Sequence, residues 1–192
     1  IADVLSEVAD SDELSVDGTC ITAEVTPMPP AEVVSSLGDD DAPDLWVPDS
    51  SMWTQRVSSP GVALGEYESI ATSPLVVVAP RQVASEELGW PDAEISWMDL
   101  LSGAGATTVA DPMTTSEGLA TLLAAQQAAG DADETRLVQV MTEVSDAAVA
   151  HVDEAYEQIT SDPSAAGLFT AAEQSVVAHN REYPEAMVVA LY

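Results

Sequence analysis

Hydroxyl side chains gather at two places where a short apolar run gives way to a helix-forming one. Asp49-Ser50-Ser51 stands between Trp46-Val47-Pro48 and MWTQRV, and Thr114-Thr115-Ser116 stands between Val109-Ala110-Asp111-Pro112 and the segment beginning Glu117-Gly118. A side-chain oxygen at such a position accepts a hydrogen bond from an otherwise unpaired helix amide. Amides and hydroxyls left over at a helix start can hold an anion or the polar end of a small ligand. In the second cluster Thr114 and Glu117 have capping-box spacing, which leaves Thr115 and Ser116 to face outward. Asp111-Pro112 holds the chain extended just before the turn. In the first cluster, Trp53 offers a flat wall beside Ser50 and Ser51.

Other chemistries find no footing. Cys20 is the only cysteine, so neither an intrachain disulfide nor a thiol metal cluster can form, and its place in the β-like run CITAEV suggests a small buried hydrophobe. His151 and His179 show no HxxxH or HExxH spacing, which leaves zinc unsupported. Asp39-Asp40-Asp41 lacks the alternating ligand spacing of a calcium loop and reads as a solvated turn. There is no GxGxxG, no phosphate-binding GxxxxGK[ST] and no GxSxG elbow. The sequence therefore names no catalytic residue, metal or cofactor, and points away from an enzyme.

The elements that must position the two clusters alternate between strand and helix. Helical spacing covers Ile1 to Ala9, Ala31 to Leu37, MWTQRV, Ser96 to Leu101, the run from Gly118 to Gly130, a capped segment from Asp131 to Ala148, and His151 to Thr160. A last helix is expected to start at Thr170 and run to about His179. Strand-like runs are Thr19 to Val25, Asp44 to Val47, Leu75 to Ala79, Thr107 to Ala110 and Ala186 to Leu191. The apolar run between Pro74 and Pro80 fits a strand buried on both faces. This alternation predicts an α/β fold, in which ligands bind where strands end and helices begin.

Composition narrows the partners. The 192-residue chain is 46 % hydrophobic, enough for one sizeable domain or two small lobes, yet carries 34 acidic residues against four arginines, a net charge of −30. Nucleic acid and anionic membranes reward clustered basic residues and are poor partners for such a field. The acids are spread along the chain as a solvated surface, consistent with high salt or a cell-wall setting. No apolar run reaches the roughly 18 residues of a membrane span. The abrupt start inside a helical pattern suggests that further residues precede Ile1.

As a set, these motifs resemble the type 2 periplasmic solute-binding proteins, and among them the molybdate-binding group. APDLWVPDSSMW looks like the strand and helix start of lobe one, and SPLVVVAP like the crossover strand. SWMDLL with VADPMTTSEG looks like the opening of lobe two and its DP-x-x-x-x-x-G ligand turn. AAGLFTAAEQSV looks like a later turn of lobe two, and YPEAMVVAL like the returning strand. The chain is also similar to solute-binding-like segments that precede a von Willebrand A domain in actinobacterial surface proteins.

The resemblance implies two α/β lobes, each a sheet flanked by helices, closing by a hinge on a ligand between them. Lobe one would span residues 1–79 and lobe two residues 80–180, with 181–192 returning toward lobe one. The family's first strand, with its ligand-contacting serine, is missing from this chain. The cleft would be lined by Ser50, Ser51, Trp53 and Ser73 from one side and by Thr114, Thr115, Ser116 and Thr170 from the other. Thr170 stands where molybdate binders usually place a tyrosine. The implied function is extracellular or cell-surface capture of a small polar solute, with an oxyanion among the candidates and a membrane transporter as partner. Membrane anchoring would come from a segment outside this chain. The alternative is a ligand-free interaction, adhesion or sensing domain that keeps the fold within a surface protein.

Overall fold

The computed structural model describes residues 2–9, 15–57, 62–92, 108–129, 138, 142, 148–163 and 167–192. Expectations placed on Ser96 to Leu101, and most of those on 131–147, lie outside the described residues. The architecture is mixed α/β, with helices packed on a sheet.

The first elements are α1 (Ala2–Ala9), the short hairpin β1 (Ser15–Val16) and β2 (Thr19–Cys20), α2 (Pro30–Ser36) and α3 (Met52–Arg56). Asp17 and Gly18 turn the hairpin with φ of 51° and 78°, the left-handed pair that a two-residue turn requires. The strand expected over Thr19 to Val25 is therefore only two residues long, and Asp44 to Val47 forms no strand. Cys20 is exposed rather than buried, because among the described residues the hairpin pairs only with itself and lies outside the core.

The central element is β3 (Leu75–Pro80), in which every residue from Val76 to Pro80 is buried. It runs antiparallel between β6 (Phe169–Ala172) and β7 (Val188–Leu191), in register Leu75 with Ala172 and Val77 with Leu191. Two apolar clusters cover its faces. Val76 and Val78 meet Ala155, Tyr156, Ile159, Phe169 and Val176, whereas Val77 and Ala79 meet Ala84, Leu168, Val189 and Leu191. Alternate residues of a strand point to opposite faces, so a continuous valine run here serves two cores at once.

The helices α4 (Arg81–Glu86), α5 (Ser116–Ala129), α6 (Asp153–Ser161) and α7 (Glu173–Glu182) flank the sheet. Between them β4 (Val109–Ala110) and β5 (Ala148–Val149) form a parallel pair. A parallel bridge between Thr108 and Phe169 joins this pair to β6. The strand at 148–149 corrects the expectation that an apolar helical face continues to Ala148, and β6 corrects the helix start at Thr170, since α7 begins at Glu173. Short apolar runs satisfy either period, and in both places pairing with a neighbouring strand decides the outcome.

The described strands form a three-stranded sheet, β6, β3, β7, and a two-stranded one, β5, β4, which the Thr108–Phe169 bridge sets side by side in the order β5, β4, β6, β3, β7. After β4 the chain passes through α5 to β5 on one side, then through α6 to β6 on the other. The strand order thus reverses between β4 and β6, and the carboxyl ends of these two strands open on that point.

Candidate functional site

The turn from β4 into α5 is built from its own backbone. The Asp111 carbonyl accepts hydrogen bonds from the Thr114 and Thr115 amides at 3.2 and 2.9 Å, and the Asp111 carboxylate accepts one from the Met113 amide at 2.8 Å. Thr115 is the helix cap: its Oγ1 accepts from the Gly118 amide at 3.1 Å while its hydroxyl donates to the Asp111 carbonyl at 2.7 Å. This corrects the expected pairing of Thr114 with Glu117. The helix begins one residue later than that spacing assumed, so Thr115 holds the position from which an oxygen reaches the third helical amide.

Gly118 explains the close seating of α5 on the strand end. A Cβ there would stand 2.2 Å from the Ala110 carbonyl oxygen and 2.7 Å from the Pro112 nitrogen. Only the absence of a side chain lets the helix approach so near.

Residues from the first cluster reach this turn. Ser116, buried at the start of α5, donates its hydroxyl to the Asp49 carboxylate. The Arg56 guanidinium donates from Nη1 to the Met113 carbonyl at 2.9 Å and from Nη2 to the Pro112 carbonyl at 3.1 Å. It also lies over the Trp53 ring, 4.8 Å from the centroid. Trp53 is 3 % exposed, and its indole Nε1 is buried with no hydrogen-bond partner among the described residues. The Ser50 hydroxyl oxygen accepts from the Met52 amide at 3.2 Å. In the sequence Asp49 stands out only as a member of the Asp49-Ser50-Ser51 helix start and Arg56 not at all, because nothing local marks a carboxylate or a guanidinium whose partner lies so far along the chain.

The opposite flank of the same sheet end is organised by Ser73. Its Oγ accepts from the Gln174 amide at 3.0 Å, and the adjacent Pro74 carbonyl accepts from the Glu173 amide at 2.9 Å. A residue just before β3 therefore caps α7, which follows β6.

The structure thus brings the Asp49–Arg56 segment, which carries Ser50, Ser51 and Trp53, to the turn that carries Thr114, Thr115 and Ser116, through Asp49 and Arg56, and sets Ser73 against the start of α7. Ser51 and Thr114 are exposed, with no side-chain hydrogen bond among the described residues. Thr170 is different: it is fully buried, and its hydroxyl shares a 2.8 Å hydrogen bond with that of Thr121 on α5. As a strand residue facing a helix, it fastens α5 to β6 and does not line an open surface.

The electrostatics are acidic. Burial, above all, raises the Glu117 carboxyl from its ordinary value, and the nearby carboxylates of Asp49 and Asp153 add to this, against a backbone hydrogen bond that lowers it. Among the described residues no three His, Cys, Asp or Glu side chains converge as metal ligands. A separate hollow of ≈ 640 Å³ is lined by Leu64, Gly65, Glu66, Tyr67 and Glu68, all exposed, and has no buried polar group to orient a ligand.

Helices packed on a sheet, with two hydroxyl-rich helix starts meeting at the end of β4, make this a mixed α/β protein. The family model for bacterial extracellular solute-binding proteins matches residues 1–191, and the chain belongs to that family. Comparison with curated proteins and with solved structures returned no significant match. Membership places the protein among extracellular proteins that bind a small solute. Among the described residues no helix is long and apolar enough to cross a membrane.

Proposed function

We propose that this chain captures a small polar solute between two lobes, at the junction of the Asp49–Arg56 segment with the β4–α5 turn, for delivery to a membrane transporter. The observation that carries this reading is the contact of Ser116 with Asp49, which joins two hydroxyl-rich helix starts at the carboxyl end of β4. Ser51 and Thr114 supply free hydroxyls, Ser50, Ser73, Thr115 and Ser116 supply oxygens already held in place, and the buried Trp53 ring supports Arg56 from beneath and does not face a solute. Thr170 is left out, since it is buried at the strand–helix interface. Family membership favours solute capture over a ligand-free adhesion domain.

The carboxylates of Asp49 and Glu117 make the site a poor host for a bare oxyanion, and the −30 net charge acts in the same direction at low salt. A neutral or cationic solute rich in hydroxyl or amino groups suits it better than molybdate. Calorimetry against sugars, amino acids, polyamines, sulfate and molybdate tests the reading. The expected result is binding of a neutral or cationic member, weakened about tenfold or more when Ser51→Ala and Thr114→Ala are combined. Silence across the panel would overturn solute capture, and binding of molybdate alone would overturn the preferred solute class.

A further inference from the structure

The segment carrying α3 has a small packing surface of its own. It is a five-residue helix in which only Trp53 is buried, and its neighbour in the fold is α2. Three side-chain hydrogen bonds tie it to the turn before α5. Asp49 holds Ser116 at the far end of that turn, and seven residues later Arg56 holds the carbonyls of Pro112 and Met113 at its near end. Both ends of one turn are thus gripped by ionised groups from one segment. Hydrogen bonds with an ionised partner are about twice as strong as neutral ones. The Trp53 ring beneath the guanidinium restricts its orientation.

We infer that Asp49 and Arg56 form a latch that holds the α2–α3 unit against the β4–α5 turn without help from any solute, with Asp49 acting as the built-in occupant of the Ser116 hydroxyl. The contacts are direct, from side chain to carbonyl and from side chain to side chain. A solute that reaches Ser116 must displace the Asp49 carboxylate, so entry and unlatching become one event. The latch stands on the geometry of the chain alone and does not depend on the identity of the solute.

Hydrogen exchange read by mass spectrometry on the whole chain, with no solute added, tests it. In Asp49→Asn and in Arg56→Gln, peptides covering 50–57 and 111–118 should exchange about tenfold faster than in the parent chain, while peptides over β3 and β7 keep their rates. Gln55→Ala, an exposed change on the same short helix, should leave all rates unchanged. Rates within about twofold of the parent in both latch variants would overturn the inference. Equal acceleration in Gln55→Ala would overturn it as well, by showing a segment that loosens under any change. Asp49→Asn preserves size and shape at an exposed position, so this arm reads out even where Arg56→Gln costs the fold. Failure of the calorimetric panel leaves these rates untouched, which keeps the two results separable.

Discussion

Ser116 donates its hydroxyl to the carboxylate of Asp49, a residue 67 positions earlier in the chain. The contact sets a negative charge beside the first turn of α5, where it suits the helix dipole but crowds Glu117. With its carboxyl raised from the ordinary 4.5, chiefly by burial, Glu117 keeps its proton to higher pH in the folded chain than in the unfolded one. Its ionisation therefore costs stability as pH rises through the window above 4.5. Glu117→Gln removes that cost. The variant should melt higher than the parent at neutral pH, and the two should converge below 4.5; equal melting temperatures at neutral pH would contradict the crowding.

The two threonines before α5 should separate cleanly. Thr115→Ala removes the oxygen that caps the Gly118 amide and should cost about 1 kcal/mol in urea unfolding. Thr114→Ala, at an exposed position with no side-chain partner, should stay within about 0.5 kcal/mol. The reverse order would restore the Thr114–Glu117 capping box.

Gly118→Ala forces a methyl group against the Ala110 carbonyl and the Asp111-Pro112 backbone. Backbone cannot swing aside as a flexible side chain can, so the cost should be about 2–3 kcal/mol, with the loss of binding following from a displaced turn. Equilibrium unfolding measures the first effect and calorimetry the second. An alanine variant of full stability would show that α5 sits further from β4.

On the far face of the sheet, His179 Nε2 lies 2.8 Å from the Ala186 carbonyl, and its ring stacks on Tyr156 and tilts against Tyr183. His179→Ala loses the aromatic contacts and leaves that carbonyl unpaired, for about 2–4 kcal/mol in urea unfolding.

Tyr156→Phe should behave differently, because the Tyr156 hydroxyl is buried with no partner among the described residues. Deleting it should be neutral or stabilising. A loss above about 1 kcal/mol would reveal a hydrogen bond to that oxygen.

The sequence by itself determined the parts of this protein that depend on local pattern. Five apolar residues between Pro74 and Pro80 fit a strand with two buried faces, and β3 is that strand. Thr114-Thr115-Ser116 before a helix-forming run marks a helix start wherever it is placed, as do Ser50 and Ser51. The alternation of elements gave the α/β class, and the resemblance carried by the motifs led to the solute-binding family.

What lay beyond the sequence turned on pairings between distant segments. Whether Gly167-Leu168-Phe169-Thr170 is a loop before a helix or a strand beside β3 depends on an antiparallel neighbour almost a hundred residues earlier. That choice buries Thr170 against Thr121. Cys20 sits in a β-like run, but among the described residues its hairpin joins no larger sheet, and the thiol faces solvent. Asp49 reads only as part of a helix start and Arg56 as an ordinary surface charge until the fold sets Ser116, Pro112 and Met113 opposite them. Local spacing fixes which residues start and stop an element. Only the tertiary structure decides which buried or charged group each one meets, because that is settled by which surfaces the whole chain can cover at once.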